Sequence, residues 1–371
     1  MIVFAHLLND RSGSPKVLAS AIAGLRAAGE EVRLFVGSDG SGWLDETGVP
    51  TTRYWYRRGP HRLVTLLTFF VSQFCLFLRL LRTPDLPGDA VLYVNTLLPF
   101  GAALFGRLTG RPVVYHLHEV SVTPALLRGL LVGIARLTAR QLIYVSEFHR
   151  HCLPIGNVPA LTVYNVLDAD IVLRAKTAPP YRPRRGGSFR VLMLASLRDY
   201  KGVPEFVALA TRFAACPDVT FHLVANDDEA AIKRYFTDRP LPADLTVYPR
   251  TADPAAHYAD ASLVVNLSRP DLCQETFGLT LLEAMAYGVP VIAPPVGGPV
   301  ELVSDGREGF LVDSRNGELL AERVRKLIGD EALCLRLSAA GRDRAARFSP
   351  EEFGRRLRAV LEPLHPSKNR P

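Results

Sequence analysis

Short apolar segments rich in β-branched and aromatic residues alternate along this chain with longer segments of helical periodicity. This alternation is typical of parallel sheets wrapped by helices. Twelve segments are predicted to be strands: 2–8, 31–36, 90–94, 112–117, 141–145 and 161–164 in the first half, and 190–195, 219–224, 245–248, 263–267, 290–292 and 309–312 in the second. We therefore expect an α/β protein with two doubly wound sheets.

The length of 371 residues also favours two domains, because a single hydrophobic core rarely grows that large. Prolines and glycines crowd the segment between the two halves, which makes it the predicted linker. The predicted divisions are a first domain at 1–170, a linker at 171–189, a second domain at 190–350, a C-terminal helix at 351–363 that packs back toward the first domain, and a frayed tail at 364–371. Ligands of open α/β sheets bind beyond the carboxyl ends of the strands, so a site in a cleft between the domains is expected.

The composition is that of an ordinary enzyme, with 48% hydrophobic and 22% charged residues. A net charge of +7 favours anionic partners without specifying one, and no nucleic-acid-binding motif accompanies it, so nucleic acid is not expected as a partner. The five cysteines are widely spaced and form no Cys-x-x-Cys pair. Together with an N-terminus that lacks a secretory signal, they indicate a reducing, cytoplasmic location.

The segment 274–290 carries two carboxylates around a predicted helix start. The helix is expected to begin near Gly278 and to end at Gly288, which places Glu275 on the preceding loop and Glu283 inside the helix. A diphosphate at this start would meet backbone N–H groups and the positive end of the helix dipole. The predicted donor-binding residues there are Phe277, Gly278, Leu279 and Thr280.

A carboxylate can accept hydrogen bonds from vicinal hydroxyl groups of a sugar. We expect Glu283 to bind a ribose and Glu275 to bind a transferred sugar. The spacing of the two acids around Phe-Gly-Leu resembles the signature of the retaining GT-B glycosyltransferases of the large family 4 type, the glycosyl transferases group 1.

This resemblance implies two Rossmann-like domains facing across a cleft. It also implies a UDP- or GDP-sugar donor, a polysaccharide or lipid-linked glycan as acceptor, and transfer with retention of anomeric configuration. The resemblance implies no cofactor and no bound metal.

Residues 191–202 resemble the first strand and loop of the family's donor domain, in which a lysine before a glycine holds the diphosphate. Lys201 stands before Gly202 and would supply that charge. The chain departs from the family at Ser196, where members commonly carry an arginine, and Arg198 lies two residues further on. Either Arg198 takes over this contact, or Ser196 donates a hydroxyl group and Lys201 alone carries the charge.

Two features of the first half are candidate site elements. The loop 9–15 joins the first strand to a helix, with Ser14 as the expected N-cap, and Gly13 corresponds to the small residue that family members place against the donor phosphate. His116 and His118 share one face of a strand that ends before Glu119. The resemblance assigns His118 to a sugar hydroxyl group, whereas a zinc site of these three residues is not expected.

Residues 63–81 form a long apolar segment with arginines at both ends. We expect a helix buried in the first domain. A helix that lies on anionic lipid is the alternative, and a membrane span is the least favoured because it would interrupt the sheet.

Two other functions fit the same fold. A nucleotide-sugar epimerase would release an altered sugar without an acceptor, and a two-domain sugar-binding protein would leave the sugar unchanged.

Overall fold

The computed structural model describes residues 1–120, 122–251 and 253–364 of the chain. It divides into two compact units, of which the first contains Met1–Val166 and the residues from Pro350 onward, and the second contains Leu167–Ser349. Most of the tail predicted at 364–371 lies outside the described residues, and Leu364 ends a short 3-10 helix.

All strand pairs are parallel, as the alternating sequence pattern predicts. The strands are β1 Ile2–His6, β2 Val32–Gly37, β3 Thr51–Tyr54, β4 Val91–Asn95, β5 Val113–Leu117, β6 Gln141–Tyr144, β7 Ala160–Thr162, β8 Phe189–Ala195, β9 Val219–Ala225, β10 Leu245–Tyr248, β11 Leu263–Val265, β12 Val291–Ala293 and β13 Gly309–Leu311. The helices are α1 Gly13–Ala27, α2 Arg62–Leu81, α3 Phe100–Leu108, α4 Ala125–Thr138, α5 Glu147–Cys152, α6 Ala169–Thr177, α7 Val203–Arg212, α8 Glu229–Phe236, α9 Ala255–Asp260, α10 Leu279–Ala286, α11 Gly317–Gly329, α12 Glu331–Ala345 and α13 Pro350–Leu361.

Each unit holds one doubly wound sheet. The order in the first unit is β3-β2-β1-β4-β5-β6-β7, and the order in the second is β10-β9-β8-β11-β12-β13. The winding direction therefore reverses between β1 and β4 in one sheet and between β8 and β11 in the other. Such reversal points open a crevice at the carboxyl ends of the strands, where ligands bind.

Helices cover both faces of the first sheet. The central strands β1, β4 and β5 are buried along their whole length, and α2, α3 and α4 pack side by side in one layer. The C-terminal helix α13 packs against α1, where Gly24 and Gly354 let the two backbones approach closely. The helix that follows the second unit in sequence thus completes the core of the first unit.

The predicted strands are all present, with ends shifted by a few residues. The sequence interpretation missed β3, a short edge strand whose residues are mostly exposed and polar. It also missed α6, which occupies the first part of the predicted linker. Asp168 caps α6 by accepting a hydrogen bond from the Asp170 N–H, and the prolines and glycines that suggested a linker all follow Thr177.

The expectation of a buried helix at 63–81 is wrong for most of that helix. Only 28% of the most apolar window of α2 is buried, on the side that faces α3. Within the described residues α2 is the one helix long and apolar enough to cross a membrane by length and composition. Its inner side nevertheless packs in the core of the first unit, through Phe69, Leu76 and Leu80.

Candidate active site

The reversal point of the second sheet brings together a lysine and a glutamate that are far apart in sequence. Lys201 follows β8, and Glu275 lies on the loop after β11. The Lys201 Nζ atom donates to Glu275 Oε1 at 2.7 Å, and the same oxygen accepts a hydrogen bond from Ser268 Oγ at 2.7 Å. Both side chains are largely but not fully buried, at 24% and 19% exposure, so a ligand can reach them.

The pair is held in its charged form. Burial alone would raise the pKa of Glu275, but the Lys201 ammonium and hydrogen bonds from Ser268 and Asn266 outweigh it and leave this pKa below its usual value. Burial likewise opposes the charge of Lys201, yet the Glu275 carboxylate leaves the pKa of Lys201 raised. The site therefore presents a fixed positive and a fixed negative charge side by side at neutral pH.

Glycines shape the two loops that carry this pair. Gly202 adopts φ +82°, and a Cβ atom there would lie 2.0 Å from the Leu267 carbonyl oxygen, so another residue would displace the Lys201 loop. Gly297 has φ +87°, and a Cβ at Gly298 would lie 2.2 Å from the Thr276 carbonyl oxygen. The turn at Gly297 and Gly298 thus supports the backbone of the Glu275 loop.

Helix α10 begins directly after this loop, at the position expected. Gly278 is the N-cap with φ +110°, a conformation that favours glycine. Phe277 is buried, and Leu279 and Thr280 form the first turn, whose N–H groups have no acceptor within the helix. The N-terminus of α10 can therefore supply backbone N–H groups to an anion that binds Lys201.

Glu283 lies one turn into α10 and is buried at 5% exposure. Its Oε2 atom accepts a hydrogen bond from the Tyr258 hydroxyl group at 2.7 Å. Burial and the neighbouring Glu283 charge raise the pKa of Tyr258 well above its usual value, so this hydroxyl group stays a donor. Tyr258 therefore fixes the orientation of the Glu283 carboxylate.

The structure does not bring Arg198 to the Lys201–Glu275 pair. Its exposed guanidinium donates to the Leu197 carbonyl oxygen at 2.9 Å. The strand ends at Ala195, and the Arg198 N–H donates to the Ser196 carbonyl oxygen in a turn, so the strand alternation does not extend to these residues. Ser196 is partly exposed at the carboxyl end of β8.

The reversal point of the first sheet gathers a second polar cluster. His118 follows β5, and its Nε2 atom lies 2.9 Å from Asn95 Oδ1 at the end of β4. The Asn95 Nδ2 atom lies 3.1 Å from His6 Nδ1 at the end of β1 and 3.4 Å from the Ser14 carbonyl oxygen. This arrangement places the His118 proton on Nε2 and leaves Nδ1 as an acceptor.

The histidines of this cluster are neutral. Burial lowers the pKa of His118 well below its usual value, and the neighbouring His116, His149 and His6 lower it further. Burial also lowers the pKa of His6 and of His149 to about 4, and that of His116 to about 3. His118 can therefore exchange hydrogen bonds with a ligand but carries no charge at neutral pH.

Glu119 stabilises the loop beside His118. Its carboxylate accepts hydrogen bonds from the backbone N–H groups of Leu97 and His118, and its carbonyl oxygen lies 2.8 Å from His149 Nε2. Burial raises the pKa of Glu119 in spite of these donors. Among residues 1–120, 122–251 and 253–364, no group of three or more His, Cys, Asp or Glu side chains is arranged to hold a metal ion.

The loop before α1 differs from its predicted form. Helix α1 begins at Gly13, so Ser12 rather than Ser14 is the N-cap residue. The Ser12 N–H and hydroxyl groups both donate to Asp10 Oδ1, which fixes the turn ahead of the helix. Gly13 itself is exposed at the first helical position.

Several residues at the two clusters were not predicted, namely Asn95, Tyr258, Asn266 and Ser268. Each is a neutral residue at or near a strand end or on a short helix, where no local pattern distinguishes it. Their partners lie 7 to 25 positions away in sequence, except for Asn95, which also reaches His6 at a separation of 89. Only the sheet topology brings them to the candidate site residues.

Solved structures with a similar chain fold identify the fold of the protein. HepE of Anabaena, solved in complex with UDP and glucose, is 22% identical with a TM-score of 0.75 and covers 97% of this chain and 99% of its own. Sucrose-phosphate synthase of Thermosynechococcus elongatus is 19% identical with a TM-score of 0.77, and 98% of each chain is covered. The fold is therefore the GT-B fold of glycosyltransferases, with two α/β domains.

Family profiles match both halves of the sequence. Residues 178–344 match the family described as Glycosyl transferases group 1, and residues 12–151 match the Glycosyl transferase 4-like domain. The chain belongs to the group 1 glycosyltransferases of family 4 type.

Curated relatives are similar over shorter regions. D-inositol 3-phosphate glycosyltransferase 1 of Catenulispora acidiphila is 38% identical over 140 residues, which are 37% of this chain and 32% of that protein. The corresponding enzyme of Pseudarthrobacter chlorophenolicus is 29% identical over 192 residues, 50% of this chain and 44% of that protein. The similarity thus spans less than half of the length of either relative.

Proposed function

We propose that this glycosyltransferase is a metal-independent hexosyltransferase that moves a sugar from a UDP- or GDP-sugar to a polysaccharide or lipid-linked glycan, with retention of anomeric configuration. The observation that carries the proposal is the Lys201–Glu275 pair beside the start of α10. A cation and an array of backbone N–H groups suit a diphosphate, and an adjacent carboxylate suits sugar hydroxyl groups.

In the proposed reaction the bond between the anomeric carbon and the diphosphate breaks, and negative charge develops on the leaving diphosphate. Lys201 and the amides at residues 277–280 stabilise that charge more in the transition state than in the ground state, which accelerates transfer. The acceptor oxygen bonds to the anomeric carbon on the face from which the diphosphate departs, and the acceptor proton passes to the departing diphosphate oxygen. Retention then follows without a covalent intermediate on the enzyme.

The remaining candidate residues bind and orient the substrates. Glu283, oriented by Tyr258, accepts hydrogen bonds from the ribose hydroxyl groups, and Glu275 accepts them from the transferred sugar. His118 contacts a sugar hydroxyl group through its Nδ1 atom. Gly13, at the exposed start of α1, leaves room for a ligand against the backbone.

Relatives support the choice of donor to test first. HepE of Anabaena was solved with UDP-glucose, which makes UDP-glucose the first candidate.

The five cysteines of this chain are all free, which supports a reducing, cytoplasmic location. We place the enzyme on the inner face of a membrane, in peripheral contact with it, because a lipid-linked acceptor would be presented there.

Incubation with UDP- and GDP-sugars tests the proposal without knowledge of the acceptor. A transferase hydrolyses its donor slowly when only water is present, an epimerase isomerises it, and a binding protein leaves it unchanged. Proton NMR of the released sugar, recorded before mutarotation, reports the anomeric configuration. Isomerisation of the nucleotide sugar, or release of the inverted anomer, would refute the proposed reaction.

Metal independence requires a separate measurement. Turnover should persist in excess EDTA, because Lys201 and the helix amides supply the positive field that a metal ion gives elsewhere. Loss of turnover in EDTA that magnesium or manganese restores would contradict this part of the proposal.

A further inference from the structure

The outer side of α2 exposes an apolar stripe that faces away from the sheet. Leu63, Leu67, Phe70, Phe74 and Leu81 recur at spacings of three, four and seven residues, and so lie on one side of the helix. Leu63 is 81% exposed, Leu67 66% and Phe74 64%. A single exposed leucine needs no explanation, but a continuous stripe along a helix about 30 Å long marks an interaction surface.

Helix α4 repeats this arrangement in the same layer. Leu126, Leu130 and Leu137 lie on its outer side, with Leu126 87% and Leu137 75% exposed. The residues on its inner side, Leu131 and Ala135, are fully buried. The small helix α3 packs between α2 and α4, so the three helices form one layer, which we call the basic helical layer.

The charges of this layer are all of one sign. Helices α2, α3 and α4 contain five arginines and no acidic residue. The wider segment 47–146 holds eleven arginines against the three acids Asp85, Asp89 and Glu119, a net charge of +8. The whole chain carries +7, so the remaining residues sum to −1. The positive charge of the protein is therefore concentrated around the two apolar stripes.

The inner side of α2 anchors the helix in the first unit. The Gln73 side chain accepts a hydrogen bond from the Gly101 N–H at 3.1 Å, and both Ser72 and Gln73 are buried. A Cβ atom at Gly101 would lie 2.2 Å from the Gln73 carbonyl oxygen, so α2 and α3 are in close backbone contact. A membrane span would break these contacts and expose the buried polar groups to hydrocarbon.

We propose that the basic helical layer docks the enzyme on the surface of an anionic lipid bilayer, with α2 and α4 lying in the interface. Apolar side chains flanked by arginines are the composition that binds such surfaces, through burial of apolar area and attraction to anionic headgroups. A second copy of the chain is a poorer occupant, because pairing two basic helical layers would bring arginines against arginines without acids to neutralise them.

The position of the layer bears on the acceptor. The first turn of α2 is reached from the carboxyl end of β3, and α4 follows the carboxyl end of β5, so both helices begin at the sheet edge that holds His118. Arg57, Arg58 and Arg62 lie at that end of α2. A bilayer along the layer would therefore present lipid headgroups at this edge, which favours a lipid-linked acceptor. This consequence rests on the proposed transferase function, whereas docking itself does not.

Vesicle flotation tests docking. The wild-type protein should float with vesicles of phosphatidylcholine and phosphatidylglycerol, and much less with phosphatidylcholine alone or at high salt. Exchanging Arg57, Arg58 and Arg62 together to Gln should lower the partition constant about fivefold per arginine, on the order of a hundredfold in all. The double variants Leu67→Ser/Phe74→Ser and Leu126→Ser/Leu137→Ser should each lower it about tenfold or more.

Leu173→Ser is the matched control, because Leu173 is 61% exposed on α6 in the second unit and should leave partitioning unchanged. Acceptor-free hydrolysis of the donor should be normal in every variant. Failure of the wild type to float with anionic vesicles at low salt would overturn docking even if hydrolysis is normal. Serine variants that float like the wild type, or that only convert a dimer to a monomer, would overturn it as well. If the wild-type protein does not hydrolyse the donor, the proposed transferase function is refuted but the docking proposal is not affected.

Discussion

The ammonium group of Lys201 and the carboxylate of Glu275 lie 2.7 Å apart, although 74 residues separate them in the chain. Each is the counter-ion of the other in the unliganded protein. A diphosphate that binds Lys201 must compete with Glu275, and the displaced carboxylate oxygen then becomes available to a sugar hydroxyl group. In the proposed donor complex the pair therefore couples the diphosphate end of the donor to its sugar end.

Exchange of the two glutamates should separate their roles. Glu283→Gln should weaken binding of a free nucleoside diphosphate by about 1.5–3 kcal/mol, because a neutral amide is a poorer acceptor for the ribose. Glu275→Gln should lower turnover but should not weaken nucleotide binding, since it removes the anion that competes for Lys201. Isothermal titration with UDP and with GDP measures both. Equal loss of affinity in the two variants would contradict the assignment.

The departure from the family at Ser196 can be tested with two alanine variants. If Arg198 swings to the leaving diphosphate when donor binds, Arg198→Ala and Lys201→Ala should each lower turnover by about 10²–10³. Turnover of the double variant should then fall by less than the product of the two single reductions, because the effects of groups that stabilise the same charge are not additive. Near-normal turnover of Arg198→Ala, with loss in Lys201→Ala, would remove Arg198 from the site.

Asn95 should act on the reaction through His118. In Asn95→Leu the ring loses the acceptor that holds its proton on Nε2, so turnover should fall about tenfold to a hundredfold. Nucleoside diphosphate affinity should not change. Asn95→Asp restores an acceptor for the His118 ring, so at high pH its turnover should exceed that of Asn95→Leu. Its carboxylate also raises the pKa of His118, so on lowering the pH its activity should be lost at a higher pH than that of the wild type. Equal pH profiles of Asn95→Asp and the wild type would exclude this role.

Buried neutral histidines should make the first unit sensitive to acid. The folded-state pKa values of His6, His116 and His149 lie below the usual 6.5, at about 4, 3 and 4. The unfolded chain therefore takes up these protons first. Their contribution to stability is complete above about pH 6.5 and is lost as the pH falls to about 4 for His6 and His149 and to about 3 for His116, by at most about 1.4 kcal/mol per pH unit for each histidine.

Urea unfolding followed by tryptophan emission measures this loss, because Trp43 and Trp55, the two tryptophans of the chain, both belong to the first unit. His149→Gln keeps a donor toward the Glu119 carbonyl oxygen and removes one titrating group. The pH dependence of its unfolding free energy should be about a quarter shallower, because His6, His116 and His118 still titrate. An unchanged dependence would show that His149 is not one of the groups responsible.

The sequence predicted the strands and the start of α10 because both depend on local pattern. The apolar runs of β1 and β4 are continuous, as strands buried on both faces require, whereas β3 is mostly exposed and gave no such signal. The motifs around Glu275 and Lys201 identified both residues as candidates. The motifs did not predict that the two side chains are in contact, because this contact depends on which strands become neighbours at the reversal point.

The partial burial of α2 could not be predicted from the sequence. Its composition is that of a core helix, and nothing in its periodicity reveals that one apolar side faces the sheet and the other does not. The buried Gln73 marks the inner side through its hydrogen bond from the Gly101 N–H, a contact that exists only because α2 packs against α3.

The return of α13 to the first unit affects how members of this family can be recombined. Phe353 and Leu357 of α13 are buried in that unit, and the Phe353 ring packs beside His116. A single crossover after Val166 would therefore pair one parent's first sheet with another parent's α13. Exchange of the second unit as a module requires two junctions, near 166/167 and 349/350, so that each parent's first sheet keeps its own closing helix.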